Sequence, residues 1–400
     1  MQNSTCAWSR RSFLRAGATM AAGAPLALAY GRKALAAEAV GIVPAARLAD
    51  AKVAIVGCKS YGPEVKAALK QSFDLLGGIG SLVKDKTVTV KLNLTGTNFS
   101  PVFDRPVGES FMTHSSTALA LGALLFEAGA KRVRFVESTQ SRSDLETSIS
   151  FADWDVNAFL ALGKVEFENT RNLGKGKKYS HLRVPSGGYM FSSFDFNHSY
   201  EETDVMVSLA KLKQHITAGV TLSMKNLFGI TPNALYGDQA GSEDATAGRG
   251  PLHGGDNPDQ RGKFEKLELP GLKERGISNG AGYRVPHIVA DICAARPIHL
   301  AIIDGITSMS GGEGPWCGDV VTLKLTKPGV IITGLNPVST DAVGTAVMGY
   351  PNPRALRGTH PFDHCDNHLL LAEQAGVGTA DLSKIDVRGM PIAKAIYPYG

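Results

Sequence analysis

The chain has 400 residues, 43% of them hydrophobic and 20% charged, with a formal net charge of +5. That balance excludes disorder along most of the length, allows a large core, and shows no internal repeat of the kind that marks a solenoid. The positive charge sits at one end: residues 1–36 hold Arg10, Arg11, Arg15, Arg32 and Lys33 and no acid, so the remainder is formally neutral and gives no support for a nucleic-acid partner or an anionic membrane.

The first element is a targeting segment. Arg10 and Arg11 lead into Phe13 and Leu14, an Ala- and Gly-rich apolar run follows to about Tyr30, and Ala34 to Ala36 offer a small-residue cleavage site. This is the order of a twin-arginine signal peptide. It predicts cleavage near residue 36, the twin-arginine export machinery as a partner, and a periplasmic or extracellular location. The apolar run is too short for a stable membrane anchor. Residues 37–400 are expected to form a single α/β domain.

Further along, strands and helices are expected to alternate. Strands are expected at 53–56, 87–92, 132–136, 204–209, 299–303, 320–326 and 330–333. Helices are expected at 63–76, 115–128, 144–162, 221–228, 288–295, 339–348 and 368–375. Residues 178–198 alternate without helical spacing and suggest an antiparallel hairpin. The pattern predicts helices on both faces of a largely parallel sheet. Residues 231–285 break it, being polar and rich in Gly, Asp and Asn, and are expected to be an active-site cover or an insertion.

Four clusters could carry chemistry. A strand running into Lys211, Lys213 and His215 places three alternating groups on one face of extended chain, and Lys225 and Asn226 follow on the next helix. Cations so placed suit a small anionic ligand. Lys91, Asn93 and Glu137 lie at two other strand ends, with Thr113 and His114 before a helix. In open α/β sheets such ends gather the site. Asp304 opens a glycine-rich turn with Gly312 and Gly314, suited to close backbone approach. His360, Asp363, His364, Cys365 and His368 hold every common zinc-ligand type within nine residues, which makes a divalent metal the candidate cofactor. Asp363 or Asp366 would otherwise cap the helix that follows. Cys6 leaves with the signal. Cys58, Cys293, Cys317 and Cys365 remain, expected to be buried or in disulfides of open pairing, and no iron–sulfur cluster motif is present.

At these residues the chain resembles the family called Domain of Unknown Function 362. The resemblance rests on Lys91 to Asn93, the Lys211–Lys213–His215 run, Thr221 to Gly229, Asp304 to Pro315, and Asn336 to Asp341, in the family's order over roughly 52–390. Leu92 stands where the family usually has proline. Relatives with ferredoxin-type cysteines imply an iron–sulfur role that this chain does not carry.

The leading expectation is an exported enzyme acting on a small anionic molecule. Lys211, Lys213 and Lys225 would hold the anion, and His215 would be its acid or base. Asp304 or Glu137 would orient His215 or bind metal. The rivals are a non-catalytic solute-binding or metal-carrier protein, and a redox-chain accessory protein.

Overall fold

Val-, Ile- and Ala-rich runs become the strands of one eight-stranded sheet. The computed structural model describes residues 51–400 apart from 97–98, 247, 255–261, 265 and 274–279. Residues 1–36, where a targeting segment is expected, therefore lie outside the described residues, as does part of 231–285.

The strands are β1 (Lys52–Gly57), β2 (Thr87–Lys91), β3 (Arg132–Glu137), β4 (Val165–Asn169), β5 (Val205–Lys211), β6 (Leu300–Gly305), β7 (Val330–Gly334) and β8 (Asp386–Gly389). Their order across the sheet is β8-β1-β7-β6-β5-β2-β3-β4. All neighbours are parallel except β7, which runs antiparallel to both β1 and β6. The chain leaves β2 toward β3 and β4 on one side and leaves β5 toward β6 and β7 on the other. The carboxyl ends of β2 and β5 thus meet at a topological switch point, where open α/β sheets bind ligands.

Alternation along the strands divides the core in two. Ala54 and Val56, Val205 and Val207, and Leu300 and Ile302 pack with helices α1 (Pro63–Leu76) and α2 (Ser115–Glu127). Val53 and Ile55, Met206, and Ala301 and Ile303 pack on the other face. That face carries α3 (Leu222–Asn226), α4 (Ala281–Ala295), α5 (Pro337–Val347) and α6 (His368–Gln374). Strands covered on both sides read as continuous apolar runs, as these do. No described helix is long and apolar enough to cross a membrane.

The expected hairpin forms, with Ser180–Arg183 antiparallel to Ser193–Phe196. Several boundaries move. The helix expected over 144–162 is two short ones, 145–150 and 156–160, because Asp153 adopts a left-handed φ of 58° between them and Asp144 and Asp155 each cap a new start. Of 320–326 only Lys324–Thr326 is a strand, pairing with Ser308–Ser310. Helix α4 starts at Ala281, inside the polar segment, and runs through Pro286. Proline cannot donate to the carbonyl four residues back, and here the Asp366 N–H takes that Gly282 carbonyl instead, at 2.7 Å.

Candidate functional site

At the switch point the strand ends are tied together by buried ion pairs. Lys91, on β2, reaches Glu137, on β3, at 2.5 Å, and also donates to the Leu92 carbonyl and to Asn226 Oδ1. Glu137 uses its other contacts on the Leu94 and Ser138 N–H groups. One sheet position further along, Lys211 meets Asp304 at 3.3 Å and donates to Tyr61 Oη and to the Gly108 and Thr307 carbonyls. Asp304 also accepts from Tyr61, Thr117 and the Ile306 N–H. Lys213 donates to the Phe111 and Glu313 carbonyls and to Thr95 Oγ1. Each of these three ammonium groups has at least three acceptors, and all three lysines are essentially inaccessible. Lys211 and Lys213 fasten the 107–113 segment and the 304–313 turn onto the end of β5.

Asn226 is likewise engaged, with the Lys91 carbonyl and Ser208. Asn93 donates to Thr95 Oγ1, while its buried Oδ1 has no partner among the described residues.

The turn after β6 packs on itself. A Cβ at Gly312 would lie 2.6 Å from Cys317 Sγ, and one at Gly314 2.2 Å from the Trp316 ring. The glycines expected to let a ligand approach instead admit Cys317 and Trp316.

His215, Lys225, His253 and Glu313 differ from the saturated set. Lys225 sits on α3, whose first residue, Leu222, has a left-handed φ of 45° and whose buried first-turn N–H groups at Ser223 and Met224 are held by the buried carboxylate of Asp341. The Lys225 ammonium lies 4.3 Å from the centre of the Phe228 ring and has no hydrogen bond or ion pair among the described residues, though the residue is only 9% exposed. Burial lowers it to about 7, the charge of Glu313 opposing and those of Arg249 and Lys91 assisting. His215 accepts the Thr217 N–H on Nδ1 and lies 3.7 Å from Glu313. Burial pushes its pKa well below the ordinary value, so it is neutral. Burial works against the Glu313 charge as well. The charge that His215 carries when protonated at low pH, the Ile216 N–H, the Trp316 indole and Lys225 nevertheless hold it at about 2.

Sequence reasoning reached His215 and Lys225 but not Glu313, Arg249 or His253. Arg249 donates to the Gly229 and Thr231 carbonyls and to Ser138 Oγ, which lays the described part of 231–285 against the site. His253 follows four residues later on a one-turn helix, 250–253, and packs edge-on to Phe228 at 5.2 Å. A Gly-Pro helix start at 250–251, ending in histidine, was the available signal.

The 360–368 cluster does not assemble as a metal centre. No three His, Cys, Asp or Glu side chains converge among the described residues. His360 pairs with Asp363 at the surface, His364 is exposed, and Cys365 and His368 face the core. Helix α6 begins only at His368, so His364 is not on its face, and the cap is Asn367, whose side chain accepts the Leu369 N–H, rather than either aspartate. Cys58, Cys293, Cys317 and Cys365 are all buried free thiols.

The family model described as "Domain of unknown function (DUF362)" matches residues 88–346. A thylakoid-associated protein of Synechocystis sp. is 27% identical over 326 residues, covering 78% of this chain and 84% of that protein. The chain also aligns with the lactate racemase apoprotein of Thermoanaerobacterium thermosaccharolyticum, at 11% identity and a TM-score of 0.36, covering 69% of this chain and 54% of that one. A structural-genomics protein of Thermotoga maritima aligns at 14% identity and a TM-score of 0.33, covering 68% and 56%. The chain thus spans little more than half the length of either solved structure.

Proposed function

The chain belongs to the DUF362 family, whose name assigns no activity, and from the chemistry of its own site we propose that it is an enzyme acting on a small anionic molecule. One observation carries the reading. Of the four lysines at the switch point, Lys225 alone lacks hydrogen-bond acceptors among the described residues. A buried ammonium without a partner is unfavourable unless something else supplies the counter-charge. A ligand carboxylate or phosphate does so, and binding it restores the full charge that burial suppresses. His215, fixed by Thr217, supplies acid–base chemistry beside it.

Export belongs to the same proposal. The twin-arginine segment at Arg10 and Arg11 sends the folded protein out of the cytoplasm and is removed near residue 36. A mature N-terminus still starting at Met1 in the exported fraction overturns that part.

The test of the site is calorimetric titration of the protein with pyruvate, 2-oxobutanoate, 2-oxoglutarate and inorganic phosphate, repeated with Lys225→Met. A hydrogen bond to a charged group contributes about 1.5–3 kcal/mol. The variant is therefore expected to bind about 10- to 100-fold more weakly. Equal affinity in both proteins, or no binding of any of the four anions, overturns the reading.

A further inference from the structure

We infer that the site moves a proton on carbon, with His253 as the base and His215 as the hydrogen-bond donor to the neighbouring oxygen, and that its substrates are small 2-oxo acids. The inference rests on the anion site proposed above and adds to it a second histidine, a direction for the proton and a substrate class.

The argument starts from what each backbone partner can do. A peptide N–H can only donate. The Thr217 N–H points at His215 Nδ1 at 3.2 Å, and with Nδ1 accepting this N–H and the Thr217 hydroxyl, also at 3.2 Å, the proton of the neutral ring is on Nε2, leaving the Glu313 carboxylate 3.7 Å from Nδ1 without a hydrogen bond to it. A peptide carbonyl can only accept. His253 Nδ1 lies 2.8 Å from the Arg249 carbonyl, so here Nδ1 carries the proton and Nε2 is a bare lone pair. Burial keeps both rings neutral, His253 at about 4 and His215 well below its ordinary value. The two imidazoles therefore present opposite polarity, one an N–H and the other an acceptor. The hydrogen bonds seen to both rings among the described residues are all made at Nδ1.

Lys225 and His253 meet on one aromatic ring. The Phe228 ring carries the Lys225 ammonium at 4.3 Å and the edge-on ring of His253 at 5.2 Å. Lys225 and His253 both act electrostatically on His215. Each ring is also held in place. His253 is fixed by its bond to Arg249 and by Phe228, and His215 by the backbone N–H and hydroxyl of Thr217. Positioned side chains of this kind are what proton transfer in a site requires.

A substrate that uses all three has a carboxylate for Lys225, a carbonyl for the His215 N–H, and an acidic C–H beside that carbonyl for His253. A 2-oxo acid has these three features in its smallest form. In the step, the C–H bond breaks and its proton goes to His253 Nε2. The bonding pair becomes the carbon–carbon double bond of the enolate, and the carbonyl π pair moves onto oxygen, which accepts the hydrogen bond from His215 Nε2–H. Return of the proton from His253 restores the oxo acid. Nothing is oxidised or reduced and no co-reactant is needed.

The experiment is proton NMR of 2-oxobutanoate in D2O with the whole protein, following loss of the C3 protons, beside calorimetric binding of the same compound. Wild-type protein is expected to catalyse the exchange. His253→Gln is expected to slow it on the order of 100-fold or more, the usual contribution of a positioned general base, while binding persists. His253→Asn serves as the second variant, and thermal melting confirms that both fold. Binding by wild-type protein without exchange overturns the inference and leaves the anion site standing. Exchange that survives in both His253 variants overturns the role of His253. Absence of binding overturns the anion site, and this inference with it.

Discussion

Two sets of lysines stand within one site and behave as opposites. Lys91, Lys211 and Lys213 are buried and saturated, each ammonium surrounded by carbonyls, hydroxyls or a carboxylate. Lys225 is buried and, among the described residues, unsaturated, with an aromatic face for company. Burial lowers both Lys213 and Lys225 to about 7, yet only one has coordination to spare. A perturbed pKa therefore does not by itself mark a ligand-binding cation. The count of acceptors does, because a filled coordination shell fixes loops and an empty one awaits a partner.

The sharpest way to break the comparison is to remove one partner from each set. Glu137→Ala leaves Lys91 as an uncompensated buried charge and also deprives the Leu94 and Ser138 N–H groups of their acceptor. Losing one member of a buried pair costs about 3–5 kcal/mol, so urea unfolding at neutral pH should show a loss of that order. A loss below about 1 kcal/mol would place Lys91 with the unsaturated set.

Lys225→Met should act with the opposite sign. Lys225 releases its proton near pH 7 when folded, against an ordinary value of 10.5. Below pH 7 both folded and unfolded chains carry the charge, and the folded state bears the cost of burying it. Between about 7 and 10.5 the unfolded chain binds more protons, so wild-type stability rises with pH. The variant has no such cost. It should be more stable than wild type at pH 7 and below, by a few kcal/mol at most, with the two curves converging as pH approaches 10.5. Parallel stability curves across that window would mean that the ammonium is already paired without ligand.

The same contrast explains what could be read in the sequence. The buried strands were legible because runs such as Val53 to Val56 and Leu300 to Ile303 are apolar at every position. Edge strands β4 and β8 escaped because Glu166, Glu168, Asp386 and Arg388 interrupt them, only one neighbour pairs with each, and polar residues are tolerated there. Pro286 hid the first two turns of α4, since the Asp366 N–H that rescues its orphaned carbonyl lies 80 positions away. In the site, alternation placed Lys211, Lys213 and His215 at the right strand end. It could not say which cation was filled, because the acceptors come from Gly108, Phe111, Thr307 and Glu313, brought in by tertiary structure. His253 was invisible for a similar reason: a histidine gains its proton geometry from a backbone neighbour and its place from Phe228.

The smallest expected effect tests how Glu313 joins the two sets. Its backbone carbonyl fills the shell of Lys213, while its carboxylate faces His215 and receives the Trp316 indole at 3.2 Å. Trp316→Phe keeps an aromatic ring against Phe111 and removes that one donor. The loss should be about 1 kcal/mol at neutral pH, the usual net worth of a hydrogen bond. Its pH dependence is the informative part. Glu313 titrates near 2 in the folded protein against an ordinary 4.5, so the stability it contributes is complete above 4.5 and is lost as pH falls toward 2. The gap between wild type and Trp316→Phe should therefore be widest above pH 4.5 and close as the carboxylate protonates. A gap that stays constant through this range would show that the indole acts through packing on Phe111 alone. The electrostatic link from the exposed Trp316 to Glu313 would then be absent, leaving His215, the Ile216 N–H and Lys225 to set the charge of Glu313.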